Sequence, residues 1–157
     1  MADKTEKRVA IVTGASRGIG RCCALALAEQ GRHVVCVARN LDKLNEVKAE
    51  IEAADGSACV ATCDIGDQQS IEGLIDKVFA DHGRLDILVN NAGITRDNLL
   101  LRMTDEEFDD VIHTNLRSVF IACRASIKPM MRGKWGRIIN IGSVAGVVGN
   151  PGQANYA

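Results

Sequence analysis

The chain has 157 residues, enough for one domain with a real core. Its 19 Lys and Arg against 20 Asp and Glu leave a net charge of −1 with no long basic run, which argues against a nucleic-acid partner. No apolar stretch reaches the length of a membrane span, and residues 1–8 are polar with no apolar signal region behind them, so a cytoplasmic protein without membrane association is expected.

Apolar runs alternate with amphipathic stretches along the chain. The pattern predicts strands over 8–13, 33–38, 57–62, 86–90 and 137–142, and helices over 18–30, 41–54, 67–81 and 104–131. The first strand, with Val9-Ala10-Ile11-Val12, runs into Thr13-Gly14-Ala15-Ser16-Arg17-Gly18-Ile19-Gly20 and then into a helix-like stretch from Arg21 to Gln30. A strand, a glycine turn and a helix start form a cradle for a dinucleotide pyrophosphate. Glycines allow the turn and the close backbone approach, and the helix start offers unpaired N–H groups and partial positive charge to an anion. The spacing Gly14, Gly18, Gly20 makes this loop one step longer than the common G-x-G-x-x-G.

Gly31 stands where a helix C′ glycine belongs, before the second strand. That strand, Val34-Val35-Cys36-Val37-Ala38, is apolar throughout, as suits a strand buried on both faces of a parallel sheet. Thr104 and Glu107 form a capping box for the long last helix. On that helix Phe108, Ile112, Leu116, Val119, Cys123, Ile127 and Met130 make one apolar stripe, with Val111, Ile121 and Ala125 adding apolar surface away from it. One stripe covers a core; a second face predicts a subunit contact. Repeated βα units without linkers or internal repeats predict a single open, doubly wound parallel sheet with right-handed crossovers.

Six cysteines (22, 23, 36, 59, 63 and 123) form no C-x-x-C pair and read as buried free thiols rather than disulfides or metal ligands. Cys59 and Cys63 fit one strand face, but no histidine lies near them in sequence to complete a zinc set. Histidines 33, 82 and 113 are scattered, and none is assigned a role; no metal site is expected.

Further polar segments fall at predicted strand ends: Asp64-Ile65, Asn90-Asn91-Ala92-Gly93 and Gly142-Ser143, with Tyr156 thirteen residues after Ser143 and Asn115 inside the long helix. An open α/β sheet binds its ligand at the carboxyl ends of the strands, so all of these except Asn115 can face one site. Together, in this order and spacing, Thr13 to Gly20, Asn90 to Gly93, Asn115, Ser143 and Tyr156 resemble the motifs of the short-chain dehydrogenase/reductase family across essentially the whole chain. Three stretches resemble the branch that reduces 3-oxoacyl thioesters carried on acyl carrier protein: Asn91 to Leu100, Gly136 to Ser143, and Gly152 to Ala157.

The resemblance implies a Rossmann-like α/β domain over 1–157, truncated after the fifth strand, with the C-terminal portion of the family's fold missing. It implies a coenzyme loop of Gly14, Ser16, Arg17, Gly18, Ile19 and Gly20. Asp64 and Ile65 would bracket the adenine, and Asn90, Ala92 and Gly93 would line the ribose and nicotinamide side. Tyr156 would be the general acid, Ser143 would orient the carbonyl oxygen, and Asn115 would hold a relay water by interrupting regular helix bonding. Charge selects the coenzyme: NAD-specific sites carry an acid after the second strand, whereas here Ala38-Arg39-Asn40 presents Arg39, with Arg17 as a second cation for a 2′-phosphate. NADP(H) is therefore expected over NAD(H).

The family pairs its tyrosine with a lysine four residues on, at position 160, beyond Ala157. That ammonium would stabilise the deprotonated phenol and hold the nicotinamide ribose, so this chain alone is expected to be an inactive fragment with Tyr156 on a frayed end. The implied activity is NADPH-dependent reduction of a carrier-bound 3-oxoacyl thioester in fatty acid elongation. A dehydrogenase of a sugar, steroid or small alcohol and a non-catalytic nucleotide-binding module remain as alternatives. Arg132, Lys134 and Arg137 read either as a docking patch for the acidic carrier or as a solvated loop. Relatives form tetramers through the long helix, which implies a homo-oligomer.

Overall fold

The computed structural model describes residues 7–157. Five strands form one parallel sheet: β1 (Val9–Thr13), β2 (His33–Ala38), β3 (Ser57–Thr62), β4 (Ile87–Asn90) and β5 (Arg137–Asn140), in the order β3-β2-β1-β4-β5. The helices are α1 (Gly18–Glu29), α2 (Leu41–Ala53), α3 (Gln68–His82), α4 (Asp105–Ile112), α5 (Ser118–Arg132) and the short α6 (Ala145–Val148), with a π-helical segment, His113–Arg117, joining α4 to α5. This is a doubly wound, Rossmann-like α/β sheet, as expected.

Alternation along each strand sends side chains to two cores. Ala10, Val12, Val34, Cys36 and Val89 face α1 and α2, where Ala24, Ala28, Leu44, Val47 and Ile51 meet them. Val9, Ile11, Val35, Val37 and Leu88 face α3 and α5, against Ile71, Ile75, Val78, Ile121, Ala122 and Met130. β1 is buried at all five positions because it has neighbours on both edges and helices on both faces. Asp86, 2% exposed, ties the amino ends of three strands together. Its carboxylate accepts the Val9 N–H at 2.8 Å and the Arg84 guanidinium at 2.7 and 2.9 Å, its N–H donates to the Val9 carbonyl, and its carbonyl accepts from Arg137.

Four expectations change. The single helix expected over 104–131 is two α-helices with a π turn between them, at Asn115. The expected stripe is split: Phe108, Leu116 and Ile127 are exposed, Ile112, Val119 and Cys123 are half-buried and Met130 is buried, while Val111, Ser118, Ile121, Ala122 and Ser126 are buried beside it. The buried face turns partly away from the stripe because it includes two serines, which an apolar count passes over. Cys22 is exposed, although Cys36 and Cys63 are buried and their burial raises them to about 12 and about 11. Lastly, α6 had no sequence signal, since four residues show no periodicity.

Candidate functional site

Above the carboxyl ends of β1 to β4 lies a cleft of about 1210 Å³. The glycine turn forms one wall. Gly14 and Gly18 have φ of +66° and +54°, the left-handed region that favours glycine. Space is as decisive as φ. A Cβ on Gly14 would lie 2.8 Å from Asn91 Nδ2 and 3.0 Å from Ala92 Cα, and one on Gly20 would collide with the Gly14 carbonyl oxygen. The first turn of α1 therefore packs directly beneath the glycine turn and aims its free N–H groups into the cleft.

Polar groups lock this wall to the turn after β4. The buried Thr13 Oγ1 donates to the Val89 carbonyl at 3.2 Å and accepts from the N–H groups of Asn91 at 3.0 Å and Ala92 at 3.1 Å. Asn91 Nδ2 donates back to the Thr13 carbonyl at 3.0 Å. Asn91 was quoted in the motif but given no role; its work is to hold two loops in register, which a motif read for ligand contacts does not reveal.

Of the expected coenzyme residues, Gly14, Ser16, Arg17, Gly18 and Ile19 line the glycine side of the cleft, and Arg39, Asp64, Ile65, Ala92 and Gly93 line the rest. Gly20 lies buried behind the turn. Asn90 is beneath the rim rather than on it: its Nδ2 donates to Asn140 Oδ1 at 2.9 Å and to Cys123 Sγ at 3.5 Å, bridging β4 to β5 and α5. Asp64, on the cleft, accepts the Gly66 N–H on Oδ1 at 2.9 Å, which fixes the turn. Arg17 and Arg39 are exposed and, among the described residues, form no ion pair or hydrogen bond, whereas Arg21 and Lys43 on the same side are paired with Glu50 and Glu46. The two free guanidiniums are thus the cations of the cleft available to an anion.

The expected catalytic residues lie apart from the cleft's lining. Asn115, in the π segment, spends both ends of its amide on one residue: Oδ1 accepts the Ile94 N–H and Nδ2 donates to the Ile94 carbonyl, each at 2.8 Å. Ser143 is exposed beyond β5, and its Oγ accepts the Ala145 N–H at 3.2 Å. Tyr156 is half-buried, and the chain around it is not frayed as expected. Asn155, 4% exposed, donates from Nδ2 to the Arg96 carbonyl at 2.9 Å and the Glu107 carbonyl at 3.1 Å, and its Oδ1 accepts the Tyr156 N–H at 2.8 Å. Gln153 Nε2 bonds the Asp97 carboxylate at 3.0 and 3.1 Å, and the Asn98 N–H donates to the Gly152 carbonyl at 2.8 Å. Asn155 was visible only as a neighbour of Tyr156; its burial depends on loops some 50 residues away in sequence.

The family model for short chain dehydrogenase matches residues 8–157. The chain belongs to the short-chain dehydrogenase family. This short-chain dehydrogenase is 49% identical over 152 residues to the 3-oxoacyl-[acyl-carrier-protein] reductase FabG of Escherichia coli strain K12, covering 97% of the chain and 61% of that relative. It is 50% identical over 148 residues to the FabG reductase of Staphylococcus aureus strain Mu50, covering 94% of the chain and 60% of the relative. It therefore spans about three fifths of the length of these curated relatives. Among solved structures it is similar to a metagenomic short-chain oxidoreductase in complex with NADP, with a TM-score of 0.91 and 42% identity over 95% of this chain and 68% of that one. No helix among the described residues is long and apolar enough to cross a membrane.

Proposed function

We propose that the protein is the coenzyme-binding and proton-donating part of an NADPH-dependent 3-oxoacyl-[acyl-carrier-protein] reductase. The observation that carries the coenzyme choice is the pair of unpaired arginines, Arg17 and Arg39, on the cleft, where the end of β2 reads Ala38-Arg39-Asn40 with no carboxylate and Glu46 beyond it is paired with Lys43. A phosphate dianion on the adenosine ribose satisfies both, and an NAD ribose satisfies neither. The solved relative bound to NADP and the FabG relatives support the same reading.

The glycine turn would receive the pyrophosphate, with the α1 N–H groups as donors. Asp64 and Ile65 would border the adenine, and Ala92 and Gly93 the nicotinamide half. The bound coenzyme supplies hydride to the carbonyl carbon. Tyr156 holds the proton that the carbonyl oxygen needs, on its Oη, and Asn155 fixes the backbone from which that phenol projects. Ser143 Oγ, which accepts the Ala145 N–H, would donate its own O–H to the same oxygen. Asn115 clamps the loop that carries Gly93, and the widened π turn would leave its backbone for a relay water.

The proposed substrate class rests on the relatives and on the exposed Arg132, Lys134 and Arg137. Arg137 lies 4.8 Å over the Trp135 ring, and the three form a basic patch beside β5 that suits an acidic carrier. The test is NADPH oxidation with a carrier-bound 3-oxoacyl thioester, on this chain and on one extended by the residues the relatives carry beyond the match. Activity is expected only in the extended form, because the ammonium that assists the phenol belongs to that part. Turnover by the 157-residue chain would refute the need for it. Reversing the patch charges is expected to raise KM for the carrier-bound substrate and spare a small thioester analogue; equal effects would remove the docking role.

A further inference from the structure

At the amino-terminal edge of the sheet, opposite the cleft, three residues far apart in sequence converge. His33 opens β2, Cys59 lies on the neighbouring β3, and His82 ends α3. Register explains the first two: His33 pairs with Ser57 and Val35 with Cys59, so His33 and Cys59 point to the same face, the one α3 covers. Gly83, at φ +70°, stops α3 so that its last turn stands over them. The donor atoms of His33, Cys59 and His82 all lie within 4.8 Å of one another, and the two rings are 4.6 Å apart.

We propose that these three side chains bind a divalent cation of borderline softness, of the zinc class. Two imidazoles and a thiol are the donor set such an ion prefers over calcium or magnesium. Two independent observations point to a ligand. First, His33 Nε2 is buried and has no hydrogen-bond partner, a cost that an ion accepting its lone pair removes. Second, the other nitrogen of that ring, Nδ1, is already held by Ser57 Oγ at 2.7 Å. That is the outer contact that orients a metal-ligating imidazole, and with the proton on Nδ1 it leaves the Nε2 lone pair free. Donor atoms around a tetrahedral zinc stand roughly 3.3–3.8 Å apart. Binding would draw the three donors closer by about 1 Å, a side-chain adjustment. On binding, the Cys59 S–H bond breaks, its proton goes to water, and the sulfur lone pair forms the S–metal bond; nothing is oxidised or reduced. All three residues are half-buried, and a water would complete the fourth position. The ion would staple β2, β3 and α3 at an edge where the coenzyme has no contact, which separates this site from the proposed reductase chemistry.

The test is titration of chelator-treated protein with Co2+, read by absorbance, and with Zn2+, read by thermal unfolding. One equivalent of Co2+ per chain with a thiolate-to-metal charge-transfer band is expected, and Zn2+ is expected to raise the unfolding temperature. Cys59→Ser should abolish the band, and His82→Gln, at an accessible helix end, should weaken binding about ten-fold or more. Ser57→Ala should weaken it about ten-fold. Cys22→Ser, at the exposed thiol on α1, should change nothing. No band, a band that survives Cys59→Ser, or affinity indifferent to His82→Gln would overturn the proposal.

Discussion

Gly20 shows how much one missing Cβ decides. It is buried in the first turn of α1, and any Cβ there meets the Gly14 carbonyl. Gly20→Ala is expected to force the glycine turn away from Asn91 and Ala92, to cost about 1–3 kcal/mol of stability, and to abolish coenzyme binding; calorimetry and ligand titration check both. Asp86 is the second sensitive residue. Asp86→Ala strands the buried Val9 N–H, and a loss of about 1–3 kcal/mol is expected in urea unfolding. At this scale the sequence was legible for residues that a motif or a charge sets on the cleft and opaque for those that hold another loop. Gly14, Arg17, Arg39 and Asp64 could be placed from motif and charge alone. Asn91, Asn155 and the inward turn of Asn90 could not, because their partners are remote backbone groups that no local pattern announces.

Among the elements, the α4–π–α5 segment departs furthest from the sequence expectation. Its start was readable: the Glu107 N–H donates to Thr104 Oγ1 at 3.2 Å while the Thr104 N–H donates to Glu107 Oε2 at 2.9 Å, the capping box expected from spacing. The Thr104 N–H and then the Asn98 amide hold the Glu107 carboxyl below its usual range. A carboxylate whose folded value is depressed contributes stability that is present above the unfolded value of about 4.3 and lost as pH falls through the folded one. Asp67, held low by Ser70 at the start of α3, acts in the same direction. Glu107→Gln is therefore expected to flatten the loss of stability below about pH 4, while Thr104→Ala costs about 1 kcal/mol at neutral pH. The π turn was not readable from periodicity, since one extra residue in the ladder shifts the helix face without changing composition. Asn115→Ala removes both hydrogen bonds to Ile94, and a loosened 91–98 loop, seen as faster amide exchange, is expected before any global unfolding.

Over the whole molecule, the sheet divides labour between its two edges. Carboxyl ends face the cleft, and amino ends hold the Asp86 tie and the His33, Cys59 and His82 cluster. The doubly wound parallel sheet followed from alternating βα units and from apolar runs that require cover on both faces, while its strand order, β3-β2-β1-β4-β5, came from the structure. The apolar stripe of the α4–α5 segment is split between core and surface, with Leu116 62% and Phe120 61% exposed. The homo-oligomer expected from the sequence would cover these two side chains, so Phe120→Asp would then lower the mass found by sedimentation; a monomer at every concentration before mutation would refute that expectation.

The claim on which the account turns is that the cleft is built for a coenzyme carrying a 2′-phosphate. Titration of NADPH and NADH into the same protein, repeated with Arg39→Ala, measures it directly. Tighter binding of NADPH by about ten-fold or more is predicted, with the substitution weakening NADPH and leaving NADH nearly unchanged. NADH binding as tightly as NADPH, or an Arg39→Ala change that weakens both alike, would contradict it.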